Sequence, residues 1–134
     1  VRVYISGPLG GGDQRKNVGR ALVAMEAIIF CGHEPFCPHL SWFAELFMFG
    51  RVPYSAWMRI DLAWLSQADV VVRLPGESPG ADEEVARAGE LGIPVVFGVK
   101  AFVDRYVNRN PIRPADESGR SRLPAGTFSG KENP

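Results

Sequence analysis

The sequence predicts an α/β domain whose mostly parallel sheet is covered by helices on both faces. Three observations carry this. Four short β-prone runs alternate with three helical patterns over about the first hundred residues, and such alternation builds parallel sheets. The third run, Val70-Val71-Val72, is uninterrupted β-branched sequence, as a strand buried on both sides requires. Glycine-rich segments follow the first and third runs, Gly7 to Gly12 and Pro75 to Gly80.

The elements follow in order. Val1 to Ser6 reads as a first strand, closed by Gly7-Pro8. From Asp13 to about Phe30 the pattern turns helical. Val18, Leu22, Met25 and Ile29 form its apolar stripe, and Gly32 gives the stop signal. Glu34 to Pro38 is a short second strand. Leu40 to Gly50 is aromatic-rich and reads either as a helical turn or as a loop covering something. Pro53 opens a helix at its first turn, running to about Gln67. Ala68 to Leu74 is the third strand, Ala81 to Leu91 a helix stopped by Gly92, and Ile93 to Val99 the fourth strand. The domain is expected over residues 1–103. Beyond it, Arg, Pro, Ser, Gly and Asn dominate, which predicts an extended or disordered tail over 104–134.

Composition narrows the function classes. In 134 residues, 15 basic and 15 acidic side chains cancel. A protein that wraps polymeric nucleic acid would carry a basic face, so none is expected as partner. No apolar run reaches membrane-span length, and the first residues lack the layout of a signal peptide. Two cysteines make no disulfide framework, and a cytoplasmic setting is expected. Cys31, His33, Cys37 and His39 place four soft ligands in nine residues, but not at structural-zinc spacing. Buried cysteines and partly exposed histidines are expected there, and no metal.

Ligands of open α/β sheets bind beyond the strands' carboxyl ends, where strand order reverses. The two glycine loops leave the first and third strands and would face each other across such a crevice. The first lacks a P-loop lysine and a dinucleotide fingerprint. It is either a nest of backbone N–H groups for a phosphate or sugar or a plain surface turn. Asp82, Glu83 and Glu84 open the following helix. They either complement its macrodipole or supply a nucleophile that the helix N-terminus helps keep ionised. Trp57, Asp61 and Trp64 fall on one helix face, and a carboxylate on an apolar face must be paired or functional. Arg59 or Arg73 could pair Asp61. Trp42, Phe43, Phe47, Phe49, Tyr54 and Trp57 could stack on a base, form a second core or, the favoured reading, make a subunit interface.

Tyr4-Ile5-Ser6-Gly7-Pro8, Asp61-Leu62-Ala63-Trp64-Leu65, Ala68-Asp69-Val70-Val71-Val72 and Ser78-Pro79-Gly80-Ala81-Asp82-Glu83-Glu84 together resemble the core of the nucleoside 2-deoxyribosyltransferase-like superfamily over residues 1–99. The nearer likeness is to an uncharacterised branch, related to nucleoside 5′-monophosphate N-glycosidases. The resemblance implies a flavodoxin-like, Rossmann-like three-layer sandwich. It implies a retaining mechanism through a glycosyl-enzyme, needing no cofactor. It places the nucleophile on Glu84, six residues past Ser78, a sugar- or base-contacting carboxylate on Asp61, and an orienting hydroxyl on Tyr4. Gly7, Gly10, Gly11, Ser78 and Gly80 match the substrate-binding positions. The monophosphate-cleaving members carry a basic residue near the second loop glycine. Here Leu9-Gly10 stands instead, leaving Arg15, Arg20 or Arg73 to replace it. The partner implied is a small nucleoside or nucleotide, and a homodimer or higher homo-oligomer is expected. Three other readings stand beside this one. They are a non-catalytic nucleotide-binding or sensing module with the same crevice, a phosphoribohydrolase whose Pro-Gly-Gly-x-Gly-Thr-x-x-Glu motif Pro75 to Gly80 departs from, and a protein-binding scaffold.

Overall fold

The computed structural model describes residues 1–107. Most of the expected 104–134 tail lies outside the described residues. Four strands form one parallel sheet: β1 (Arg2–Ser6), β2 (Glu34–Phe36), β3 (Val70–Arg73) and β4 (Val95–Phe97), in the order β2-β1-β3-β4. This is the expected α/β, flavodoxin-like arrangement. The chain steps outward from β1 to β2, then returns across it to β3, so strand order reverses between β1 and β3. Tyr4 stands in register with Val71, and Ser6 with Arg73.

The period of two along these strands sorts side chains between the faces. Val3, Ile5, Val70, Val72, Leu74 and Val96 form one core with α1 (Gln14–Phe30) and α5 (Val99–Arg105), through Ala21, Ala24, Ile28 and Phe102. Tyr4 and Val71 point the other way. They pack with Leu65 of α3 (Tyr54–Leu65) and Ala88 of α4 (Pro79–Glu90). Three layers result.

Asp13 starts α1, its side chain accepting from the Arg15 and Lys16 N–H groups at 3.1 and 3.3 Å. The buried face of α1 is Val18, Ala21, Ala24 and Ile28, which shares only Val18 with the expected stripe. Met25 packs at the core's margin, and Leu22 and Ile29 are half-buried. Small alanines win the centre because they let the helix approach the sheet closely.

Three further differences concern boundaries. Pro53 is the residue before α3, with extended backbone, instead of a first-turn residue. Helix α4 begins at Pro79, capped by Ser78, whose Oγ accepts from the Ala81 N–H at 3.2 Å. Val99, expected to end a strand, begins α5, which has no counterpart in the sequence reading. Its Phe102 is fully buried, edge-on to His33 at 5.2 Å and stacked on Tyr106 at 4.9 Å. The aromatic-rich stretch contains a 3-10 turn, Pro38–Leu40, and a short helix α2, Ser41–Glu45.

Among the described residues no helix is long and apolar enough to cross a membrane.

Candidate functional site

A cavity of about 800 Å3 opens at the carboxyl ends of β1 and β3, a size that suits a small organic ligand. Gly7, Gly10 and Gly11 line it from the loop after β1, and Ser78, Gly80 and Glu84 from the start of α4. Asp61 lines it from α3. Tyr4 does not line it but lies directly beneath, fully buried, its Oη donating to Glu84 Oε1 at 2.7 Å. The expected site residues thus converge from four segments of the chain.

Local rules account for the convergence. Ala81, Glu84 and Ala88 are the buried residues of α4, at three- and four-residue steps. Glu84 is therefore the carboxylate of its acidic trio that points inward. Asp82 and Glu83 are exposed, and Asp82 receives the Arg73 guanidinium at 3.2 Å. Alternation along β1 and β3 sends Tyr4, Ser6 and Arg73 to the same face. Arg73 is buried, and it also donates to the carbonyls of Leu74 and, at 2.9 Å, Gly76. It fastens the second loop. It pairs with Asp82, not with Asp61, and Asp61 has no hydrogen bond or ion pair among the described residues. Ser78 spends an oxygen lone pair on its helix cap, leaving its hydroxyl proton to donate.

Burial raises the pKa of both carboxyl groups, against different neighbours. Burial, and then the Glu84 charge, push the Asp61 carboxyl up to about 7. Burial also pushes Glu84 up. Hydrogen bonding from Ser6 and Tyr4 and the Arg73 charge draw it back, while the Glu83 charge adds to the rise. Burial thus opposes the ionised form of Glu84 that a helix N-terminus favours. Burial, followed by the charges of Glu84 and Asp61, pushes the Tyr4 phenol far up, so it remains a hydrogen-bond donor at any ordinary pH.

The two loops lock together at their bases. A Cβ on Gly76, whose φ is +114°, would stand 2.9 Å from the Pro8 ring, and one on Gly7 would stand 3.0 Å from Leu74 Cβ. His39, expected to be partly exposed, is 2% exposed and lines the cavity. Its Nε2 lies 3.0 Å from the Pro8 carbonyl, which can only accept, so Nε2 carries the proton. Its Nδ1 lies 3.9 Å from Cys37 Sγ. Burial lowers the His39 pKa and pushes the Cys37 thiol up to about 11. Among the described residues no three His, Cys, Asp or Glu side chains converge on a metal position.

The aromatic group divides. Trp42, Tyr54 and Trp57 line the cavity. Phe47 and Phe49 stand almost wholly in solvent. Trp64, expected on the face of Asp61, does not line the cavity and instead stacks on Phe36 at 5.4 Å. Arg15, Arg20 and Arg73 do not line it either. The basic residue that does is Arg51, which the sequence reading missed. One signal was available, since Arg51 is the only Lys or Arg between Arg20 and Arg59. Gln14 and Met58 are further lining residues that no motif marked.

Comparison with known proteins agrees with this architecture. A family model described as a domain of unknown function, DUF4406, matches residues 1–97, and the chain belongs to that family. The fold is similar to that of a 2-deoxyribosyltransferase from the psychrotolerant bacterium Bacillus psychrosaccharolyticus. The TM-score is 0.56 at 21% identity, over 72% of this chain and 71% of that one. No curated protein matches the chain.

Proposed function

For this member of the DUF4406 family we propose cleavage or transfer of the N-glycosidic bond of a nucleoside or nucleoside 5′-monophosphate. The reaction retains configuration, through a glycosyl-enzyme on Glu84. The observation that carries the reading is the Tyr4–Glu84 pair at 2.7 Å, set under a cavity that is also lined by the Asp61 carboxyl, whose pKa is raised to about 7. Two carboxyl groups with different environments are what a retaining glycosidic displacement uses.

In this reading Tyr4 holds Oε1 of Glu84, leaving Oε2 to attack the anomeric carbon. The C–N bond breaks as the C–O bond forms. Its electron pair passes to the base nitrogen, which takes the proton from Asp61. Asp61, now a carboxylate, removes a proton from water or from the nitrogen of an acceptor base. That nucleophile displaces Glu84, and two inversions restore the configuration. Trp42, Tyr54 and Trp57 supply faces against which a base stacks. No cofactor enters. The exposed Leu46, Phe47 and Phe49 are assigned to a homo-oligomer interface, for which light scattering gives the mass.

Base release from a panel of nucleosides and 5′-monophosphates, followed by chromatography, tests the reading. Wild type releases base from at least one member, and Glu84→Ala lowers that release by on the order of a thousandfold or more. Unchanged release in Glu84→Ala overturns the nucleophile assignment. No release from any member, with or without an acceptor base, moves the assignment to a non-catalytic binding module. The observation that favours that second reading is the burial of Glu84, which raises its carboxyl pKa.

A further inference from the structure

The first loop has a fixed base and an open tip. Its base is held by the Pro8 contacts with His39 and Gly76. At the tip a Cβ on Gly10 or Gly11 would meet nothing within 4 Å. Packing therefore does not explain two glycines that line the cavity, as it does explain Gly7 and Gly76. The N–H groups of Gly10, Gly11 and Gly12 have no acceptor among the described residues. One side chain touches this tip by hydrogen bonds. Asn17, in the first turn of α1, donates from Nδ2 to the Leu9 carbonyl at 3.3 Å and to the Gly11 carbonyl at 2.6 Å. In a trans peptide the N–H points opposite to the C=O of the same unit. A carbonyl drawn to Asn17 thus turns the following N–H away from Asn17.

We propose that Asn17 is a positioning residue. By holding the Leu9 and Gly11 carbonyls against α1, it fixes the tip and presents the N–H group of Gly10, which lines the cavity, to an oxygen acceptor of the ligand. The proposal rests on the functional reading above for the identity of that ligand. The shared chemistry is an oxygen that accepts a backbone N–H group, either a sugar oxygen or a phosphate oxygen. The clamp is aimed by α1, whose buried face fixes the helix on the sheet. The loop therefore does not need the ligand to adopt its accepting form.

The experiment uses the full chain carrying Glu84→Gln, so that binding is read without turnover. Asn17→Ala removes the clamp without adding charge. Asn17→Asp is nearly isosteric but turns an acceptor toward both carbonyls. An acid in the first turn of a helix complements its dipole, so this variant keeps the fold. Two quantities are measured: 15N relaxation of Gly10 to Gly12, and Kd by calorimetry for a nucleoside, its 5′-monophosphate and inorganic phosphate. Both variants are expected to loosen the tip and to raise Kd by up to about tenfold, as loss of a hydrogen bond to the ligand implies. In the Glu84-intact chain, KM is expected to rise by the same factor with kcat within about twofold. An effect confined to the monophosphate and phosphate identifies a phosphate oxygen, and an equal effect on the nucleoside identifies a sugar oxygen. Unchanged relaxation in both variants overturns the clamp. Looser tips with Kd unchanged, or a fall in kcat at constant KM, overturn the positioning role. If no probe binds while Asn17 is intact, the functional reading fails, and relaxation alone still decides the clamp.

Discussion

The two faces of the sheet are built from the same strands and serve opposite ends. On the α1–α5 face, the strands present Val3, Ile5, Val70, Val72 and Leu74, and every inward position is apolar. On the α3–α4 face the same strands present Tyr4, Ser6, Val71 and Arg73, and the buried apolar cluster shrinks to Tyr4, Leu65, Val71 and Ala88. The difference teaches how a small domain holds a buried carboxylate. One face carries most of the hydrophobic stabilisation, so the other can bury Glu84 and Arg73 at a cost. Each of the polar groups it buries is hydrogen-bonded.

That division can be broken from either side. The largest stability effect is expected from Phe102→Ala on the apolar face, about 3–5 kcal/mol in chemical denaturation, with kcat per folded molecule unchanged. A comparable loss of kcat would show that the faces are not independent. On the polar face, Tyr4→Phe removes the hydrogen bond to Glu84 but keeps the ring stacked on Phe36, 5.8 Å away. It is expected to lower kcat about 10- to 100-fold, as loss of a hydrogen bond to a charged group implies, while the denaturation midpoint moves less than in Phe102→Ala. A midpoint shift as large as that of Phe102→Ala would recast Tyr4 as a structural residue.

The smallest effect sharpens the comparison through pH. Asp61 has its pKa raised to about 7 in the folded state, above its value of about 3.9 in an unfolded chain. Between those values the folded state holds the proton that the unfolded state has lost. The stability this group contributes is therefore full below about pH 4 and is lost as pH rises through about 7. Asp61→Asn is expected to raise stability at pH 8 by about 1 kcal/mol or more relative to its effect at pH 4. In wild type, base release should fall as pH rises above about 7, because the proton for the leaving base is gone. Equal effects of Asp61→Asn at both pH values would remove Asp61 from the role of proton donor.

Much of this division is legible in the sequence, and the gaps have physical causes. The strands and the two facing loops follow from β-branched runs and glycine placement, whereas Glu84 is set apart from Asp82 and Glu83 only by the family resemblance, which puts the nucleophile six residues past Ser78. The face of α1 was misread because side-chain size stood in for burial. Ala21 and Ala24, not Leu22 and Ile29, occupy the centre, where close approach to the sheet excludes large residues. Helix α5 was missed because it has seven residues, and Lys100, Asp104 and Arg105 on its outer side blend into the polar tail around one decisive Phe102. Arg51 and His39 could not be placed because residues 38–53 combine a 3-10 turn, a five-residue helix and an irregular stretch, none with a readable period. Asn17 carried no motif at all. Its importance depends on the direction in which two carbonyls point, and sequence does not record that.

Gly80 has a consequence for anyone who would alter what the cavity accepts. A methyl group at this position would stand 2.9 Å from the Tyr54 hydroxyl and 3.7 Å from the Met58 sulfur. Positions 80 and 54 therefore form one design variable. A combinatorial library that diversifies 80 while fixing 54 makes the exposed Tyr54 ring swing aside for each larger residue, whereas one that pairs larger residues at 80 with shorter ones at 54 explores new shapes of the entrance. The same coupling would appear across natural variants of this domain as correlated exchange at two sites 26 positions apart in the chain.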